Sequence, residues 1–72
     1  MNQSGQKLSD KILSALLSQF PGSKPSIIEI TDSTFKYQLV KNDNYSYFLV
    51  GYSINTSGDL KVDWKNAESF ML

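Results

Sequence analysis

The chain has 72 residues, and its seven lysines balance seven carboxylates, with no arginine, histidine or cysteine. This composition excludes disulfides, thiol nucleophiles, histidine general bases and zinc sites built from cysteine or histidine. A chain of this size buries only about 60 % of its unfolded surface on folding, so it supports one small core. At 40 % apolar residues it has enough hydrophobic content to fold.

The first ordered element predicted is a helix. Residues 1–6 are polar and are expected to form a flexible tail, followed by a single domain over residues 7–72. Apolar side chains then recur with helical spacing, and Phe20, Pro21 and Gly22 end the pattern, because this order of residues disfavours further helix. The prediction is a helix over residues 7–19. Its apolar positions, with the aromatic residue that follows, are Leu8, Ile12, Leu13, Ala15, Leu16, Leu17 and Phe20.

After the helix the hydrophobic period becomes two, which is typical of strands. Residue 51 is a glycine within the longest apolar run and predicts a bulge or bend there. That run is apolar on both faces in its middle, which favours a central strand. Residues 66–72 are compatible with a short helical turn or with an extended tail. The predicted strands cover residues 26–31, 34–41, 45–54 and 60–64, with turns at 32–33, 42–44 and 55–59.

This order of elements predicts an α+β fold, in which one N-terminal helix packs on a four-stranded antiparallel meander sheet (α-β-β-β-β). One helix covers only one face of such a sheet. The third strand carries Phe48 and Tyr52 on one side and Tyr45 and Tyr47 on the other. Which side the helix covers is left open, but one aromatic set must face away from it.

Patterns that resemble catalytic motifs have simpler explanations. Two Ser-x-x-Lys pairs occur, Ser4/Lys7 and Ser33/Lys36, but both residue types are abundant and neither pair lies in a predicted helix interior. The aspartates in the predicted turns bond nearby backbone, as short acidic side chains do in turns. We therefore expect a protein that is not an enzyme and that has no catalytic residues, cofactor or metal.

The strand aromatics are the group without an assigned structural role. We select Tyr37, Tyr45, Tyr47, Lys36 and Trp64 as candidate partner-binding residues. Tyrosine is favoured in interfaces because it offers a large, rigid contact area and a polar tip. The structural alternative is that the sheet curls, or that the C-terminal segment folds back, and so covers this surface.

These residues predict a small protein-binding module that acts through a tyrosine-rich sheet face or an edge strand, residues 26–31 or 60–64. The partner would be a protein of unknown identity or a second copy, giving a homodimer. A composition rich in lysine and asparagine without arginine is typical of an AT-rich coding sequence, and suggests an inhibitor or antagonist from a phage or plasmid.

A single-stranded nucleic-acid binder that stacks bases on Tyr37, Tyr45 and Tyr47 is an alternative. A neutral chain without arginine, however, gains little from phosphate neutralisation. No long apolar run predicts an export signal or a membrane span, so the expected location is the cytoplasm.

A further alternative comes from the layout of motifs. The helix ending in Phe20-Pro21-Gly22 precedes a strand at 27–30, the segment Tyr37-Gln38-Leu39-Val40 and the hairpin Thr56-Ser57-Gly58-Asp59-Leu60. This layout resembles PepSY-type domains, in which a helix, an aromatic-Pro-Gly stop, two strands and a Gly-x-Leu hairpin follow one another. The resemblance implies a regulatory or inhibitory domain, of a kind typically exported or membrane-linked and found beside peptidases.

Overall fold

The structure is a computed structural model that describes residues 7–71. The expected tail, residues 1–6, lies outside the described residues, as does Leu72. The α+β fold with one helix on an antiparallel sheet is confirmed, and a fifth strand is added to the predicted four. The elements are α1 (Leu8–Gln19), β1 (Lys24–Ile30), β2 (Thr34–Lys41), β3 (Asn44–Ile54), β4 (Leu60–Val62), a 3₁₀ helix (Trp64–Asn66) and β5 (Glu68–Phe70).

Helix α1 binds the sheet through a narrow stripe. Ile12 and Leu16, one turn apart, are fully buried, whereas Leu17 is 53 % exposed. The Lys11 ammonium donates to the Gly58 carbonyl at 2.9 Å, which ties the helix to the loop between β3 and β4. Within residues 7–71 no helix is long and apolar enough to cross a membrane.

The β2–β3 hairpin forms the centre of the sheet. Its register runs without a break from Lys41 opposite Asn44 to Thr34 opposite Gly51. The two connecting residues, Asn42 and Asp43, have φ angles of 52° and 67°. Two consecutive positive φ angles are those of a type I′ turn, whose twist matches that of the paired strands.

The bulge expected at Gly51 is not found in the β2–β3 pairing, whose register runs without a shift until it ends at that residue. A bend there stays a prediction. The irregularity lies in β1 instead, where the pairing with β2 shifts between Ile27 and Glu29. Ile28 is the extra residue and is 41 % exposed. A bulge is a property of a strand pair, so a glycine in one strand does not locate it.

One edge of β3 is shared by two short strands. Strand β4 pairs with residues 52–54 of β3, and β5 pairs with residues 47–49 on the same edge. The predicted fourth strand, 60–64, therefore ends early at Val62, because the chain turns into the 3₁₀ helix before it returns as β5. Within the segment predicted as a helical turn or an extended tail, Asn66 ends the 3₁₀ helix and strand β5 follows. The central position of β3 is confirmed.

The core lies between α1 and one face of the sheet. Its five buried side chains are Ile12, Leu16, Phe35, Tyr37 and Val50, each at most 2 % exposed. A ring of half-buried apolar residues that includes Phe20 and Trp64 surrounds them. Among the described elements no helix packs on the opposite face of the sheet, so that face is open.

Candidate functional site: the tyrosine face

Strand register decides the face on which each candidate residue lies. Directly opposed residues of an antiparallel pair project from the same face. Tyr37 is opposite Phe48, whereas Gln38 is opposite Tyr47. Since Tyr37 lies in the core beneath α1, Tyr47 projects from the open face, and Tyr45, two residues before it, does the same.

The open face carries a contiguous set of apolar and aromatic side chains, which we call the tyrosine face. Tyr45 is its most accessible member, with 62 % of its surface exposed. Phe70 of β5 stands opposite Tyr47 and so extends the face across β3. The tyrosine face consists of Lys36, Val40, Tyr45, Tyr47, Leu49 and Phe70.

Side-chain contacts organise the centre of the tyrosine face. The rings of Tyr47 and Phe70 lie 5.9 Å apart. The Lys36 Nζ lies 5.5 Å from the Phe70 ring centroid, within the range of a cation–π contact, and 3.3 Å from the Glu29 Oε1. Because both members of this ion pair are solvent-exposed, it contributes little to stability. Its effect is to hold a cation beside the aromatic cluster.

A groove of about 520 Å³ adjoins the tyrosine face where β5 ends. Among residues 7–71, β5 pairs with β3 no further than Tyr47, so Tyr45 and Ser46 have no neighbouring strand on that edge. Unpaired strand backbone of this kind accepts an extended segment of another chain. Among residues 7–71, those that line the groove carry no charged side chain; they are Tyr45, Ser46, Tyr47, Phe48, Ser69, Phe70 and Met71.

The edge of β1 is a poorer docking element than expected. Pro25 lacks a backbone donor, and the bulge at Ile28 breaks the regular spacing of the remaining groups. Lys24 and Glu29 add charge to the strand. Prolines, bulges and charges are devices by which edge strands avoid pairing with other chains.

Two of the five candidate residues do not belong to the tyrosine face. Tyr37 is 2 % exposed, and its ring stacks on that of Phe48 at 5.3 Å, so the expectation that it contacts a partner is wrong. Trp64 packs edge-on against Phe20 at 5.4 Å and Tyr37 at 5.9 Å, on the side of the sheet that α1 covers. The structure brings together the other three, Lys36, Tyr45 and Tyr47.

Three members of the tyrosine face, Val40, Leu49 and Phe70, were not among the candidate residues. Val40 and Leu49 are aliphatic, whereas the candidate residues were chosen from the strand aromatics and a neighbouring lysine. Phe70 lies in β5, which has only three residues, too few for a periodic signal. The even spacing of Leu49 from Tyr45 and Tyr47 already places it on their side of β3.

Burial of Tyr37 predicts a pH dependence of stability. Desolvation raises the pKa of its phenol above the ordinary value of 10.0. Above about pH 10 the unfolded chain therefore loses this proton more readily than the folded protein does, so the free energy of unfolding falls as pH rises. Urea denaturation between pH 8 and 11 measures this fall, and Tyr37→Phe should make it shallower. An equally steep fall in the Phe variant would contradict the assignment, since the other groups titrate alike in both proteins.

No family model matches this chain, and no curated protein or solved structure matches it either. The resemblance of its motifs to PepSY-type domains therefore gains no support from these comparisons. The geometry of the described residues is the basis for a functional proposal.

Proposed function

We propose that this protein is a small non-catalytic module that binds another protein through the tyrosine face. The observation that supports the proposal is the placement of Tyr45, 62 % exposed, beside Tyr47 and Phe70 on the side of the sheet that α1 leaves open. Exposed aromatic residues that are contiguous on a rigid sheet are typical of the centres of protein interfaces.

The chemistry of this surface favours a protein surface with apolar side chains as its partner. Lys36 is the one cation of the tyrosine face, and Glu29 already pairs with it. Since the whole chain carries no net charge, long-range electrostatic steering contributes little to association. Affinity would arise from desolvating Tyr45, Tyr47 and Phe70, and the adjoining groove offers space for a side chain or a short extended segment of the partner.

The non-catalytic role, the phage or plasmid origin and the cytoplasmic location in this proposal are argued from composition. The absence of histidine and cysteine supports a binding role over catalysis. The small size and the lysine-rich, arginine-free composition support an inhibitor or antagonist from a phage or plasmid that acts in the cytoplasm. The nucleic-acid alternative is weakened because Tyr37, one of its three stacking residues, is buried.

The double substitution Tyr45→Ala, Tyr47→Ala tests the proposal. We expect it to weaken partner binding by at least about 100-fold, since interface tyrosines often contribute 2 kcal/mol or more each. The measurement is affinity capture followed by determination of Kd for the captured protein. Circular dichroism establishes that the variant is folded.

The matched control is the double substitution Leu13→Ala, Leu17→Ala, which removes two exposed apolar side chains from the outside of α1. It should retain the partner with unchanged Kd. If both double variants bind alike, the tyrosine face is not the interface. If light scattering shows a dimer that only the tyrosine variant dissociates, the partner is a second copy of the chain.

A further inference from the structure

A second concavity lies on the other side of the sheet from the tyrosine face. It is a cleft of about 520 Å³ between the turn that follows α1 and the tip of the β2–β3 hairpin. Phe20, Leu39 and Phe48 supply its apolar surface, and Lys41, Asn42 and Asn44 lie at its polar margin. Ligand sites of small molecules have volumes of about 300–1,000 Å³ and this mixture of apolar lining with a few polar groups.

The cleft exists because the helix ends before the sheet does. Tyr37 is buried beneath α1, but Leu39, two residues along β2, is only half-buried. Leu39 is opposite Ser46, whose small side chain leaves space on the sheet. Gly22 borders the same space, and a Cβ atom added there would have no neighbour within 4 Å. The apolar lining is therefore accessible from solvent.

The charge of the cleft indicates what it would bind. Of the residues that the structure describes, Lys41 is the only charged one that lines the cleft. Within the part of the chain that the structure describes, the one ion pair joins Glu29 to Lys36, so Lys41 has no carboxylate partner there. Asp43, at the tip of the hairpin, does not line the cleft. Asn42 and Asn44 can donate amide hydrogen bonds to an anion beside Lys41.

We propose that this cleft binds an aromatic carboxylate, whose ring contacts Leu39 and Phe48 while its carboxylate is bound at Lys41. A free aromatic acid and the C-terminal residue of a peptide share this chemistry. The side chains of the tyrosine face project from the other side of the sheet, although the groove beside that face shares Ser46 and Phe48 with the cleft. Lys41→Gln changes only the cleft, whereas the double tyrosine substitution changes only the tyrosine face and its groove, so failure of one proposal leaves the other standing.

Titration followed by amide shifts in two-dimensional NMR tests the proposal, with phenylacetate, its neutral analogue phenylacetamide and the peptide acetyl-Gly-Gly-Phe as probes. We expect saturable shifts at Leu39, Lys41 and Ser46, with phenylacetate binding about fivefold more tightly than phenylacetamide, the scale of a solvent-exposed ion pair. Binding of the peptide as well as the free acid would identify a C-terminus as an acceptable ligand. Binding of phenylacetate alone would identify a free acid.

Two variants separate charge from shape. Lys41→Gln should remove the preference for phenylacetate over phenylacetamide, whereas Lys61→Gln, which replaces an exposed strand lysine outside the cleft, should retain it. Ser46→Phe should fill the cleft and abolish the shifts with both probes. Shifts that do not saturate, shifts that map elsewhere, or an undiminished preference in Lys41→Gln would overturn the proposal. The dispersion of each spectrum shows that the variant is folded.

Discussion

Replacing Trp64 with alanine is expected to remove most of the protein's free energy of unfolding at 25 °C. The Trp64 ring lies almost perpendicular to those of Phe20, Phe35 and Tyr37, at interplanar angles of 82–90°. Edge-to-face packing of this kind adds to the energy of burial. Because Trp64 is half-buried, its loss should cost about 3 kcal/mol, the lower end of the range for large aromatic side chains in cores. The core of a domain this small rarely supplies more than about 3–5 kcal/mol, so this loss removes most of its stability.

Circular dichroism measures this effect, because the chain has one tryptophan and the variant loses the fluorescent reporter. Trp64→Phe should be less destabilised, since it retains a ring beside Phe20. Tyr45→Ala, which truncates a 62 % exposed aromatic, should change the free energy of unfolding by less than about 0.5 kcal/mol. If the Trp64→Ala protein melts like the wild type but no longer binds the partner, Trp64 contacts the partner and does not stabilise the fold.

Elements with local stop signals were predictable from the sequence. The predicted helix, 7–19, and α1 end at the same residue, because Phe20-Pro21-Gly22 disfavours further helix. They differ by one residue at the start. Strand β2 has the predicted bounds, since its alternation of apolar and polar residues is enclosed by two turns. In these segments the local sequence and the tertiary packing favour the same structure.

Elements defined by tertiary pairing were not predictable in the same way. Strand β5 has only three residues. It forms by pairing with β3, on the part of that strand's edge that β4 leaves unpaired. Trp64 alternates with Leu60 and Val62 as a strand residue would, yet the chain turns after Val62 and carries it into the 3₁₀ helix. The pairing of β5 depends on a distant part of the chain, whereas the turn into the 3₁₀ helix is held by local hydrogen bonds from Asn66 to Asp63, which strand-like alternation does not reveal.

The length of one turn sets the side of the sheet from which Tyr37 projects relative to the tyrosines of the open face. The sequence predicts a three-residue turn at 42–44, but the turn has only two residues, and Asn44 pairs with Lys41. Such a two-residue turn sets the register that places Tyr37 opposite Phe48, and with it the assignment of Tyr37 to the core. A register shift of one residue moves every side chain of a strand to the other face. Pattern alone therefore identified the aromatic residues but not the side that each occupies.

The helix presents the same ambiguity at two adjacent leucines, and a matched pair of substitutions resolves it. Leu16 is fully buried and Leu17 is 53 % exposed, although both belong to the apolar stripe of the sequence. Leu16→Ala removes atoms that contact the core and should cost about 2–5 kcal/mol. Leu17→Ala removes the same atoms from the outer surface and should change the free energy of unfolding by less than about 0.5 kcal/mol.

Urea denaturation of the two alanine variants measures this difference with helix propensity held constant, because both exchange leucine for alanine in the interior of α1. Equal losses would show that α1 is rotated on the sheet or that Leu17 is buried against another surface in solution. A second copy of the chain is one such surface, and it would make the stability of the wild type, but not of Leu17→Ala, increase with protein concentration. A large difference that is independent of concentration would establish that α1 packs on the sheet through the face that carries Leu16, and that Leu17 lies outside this packing.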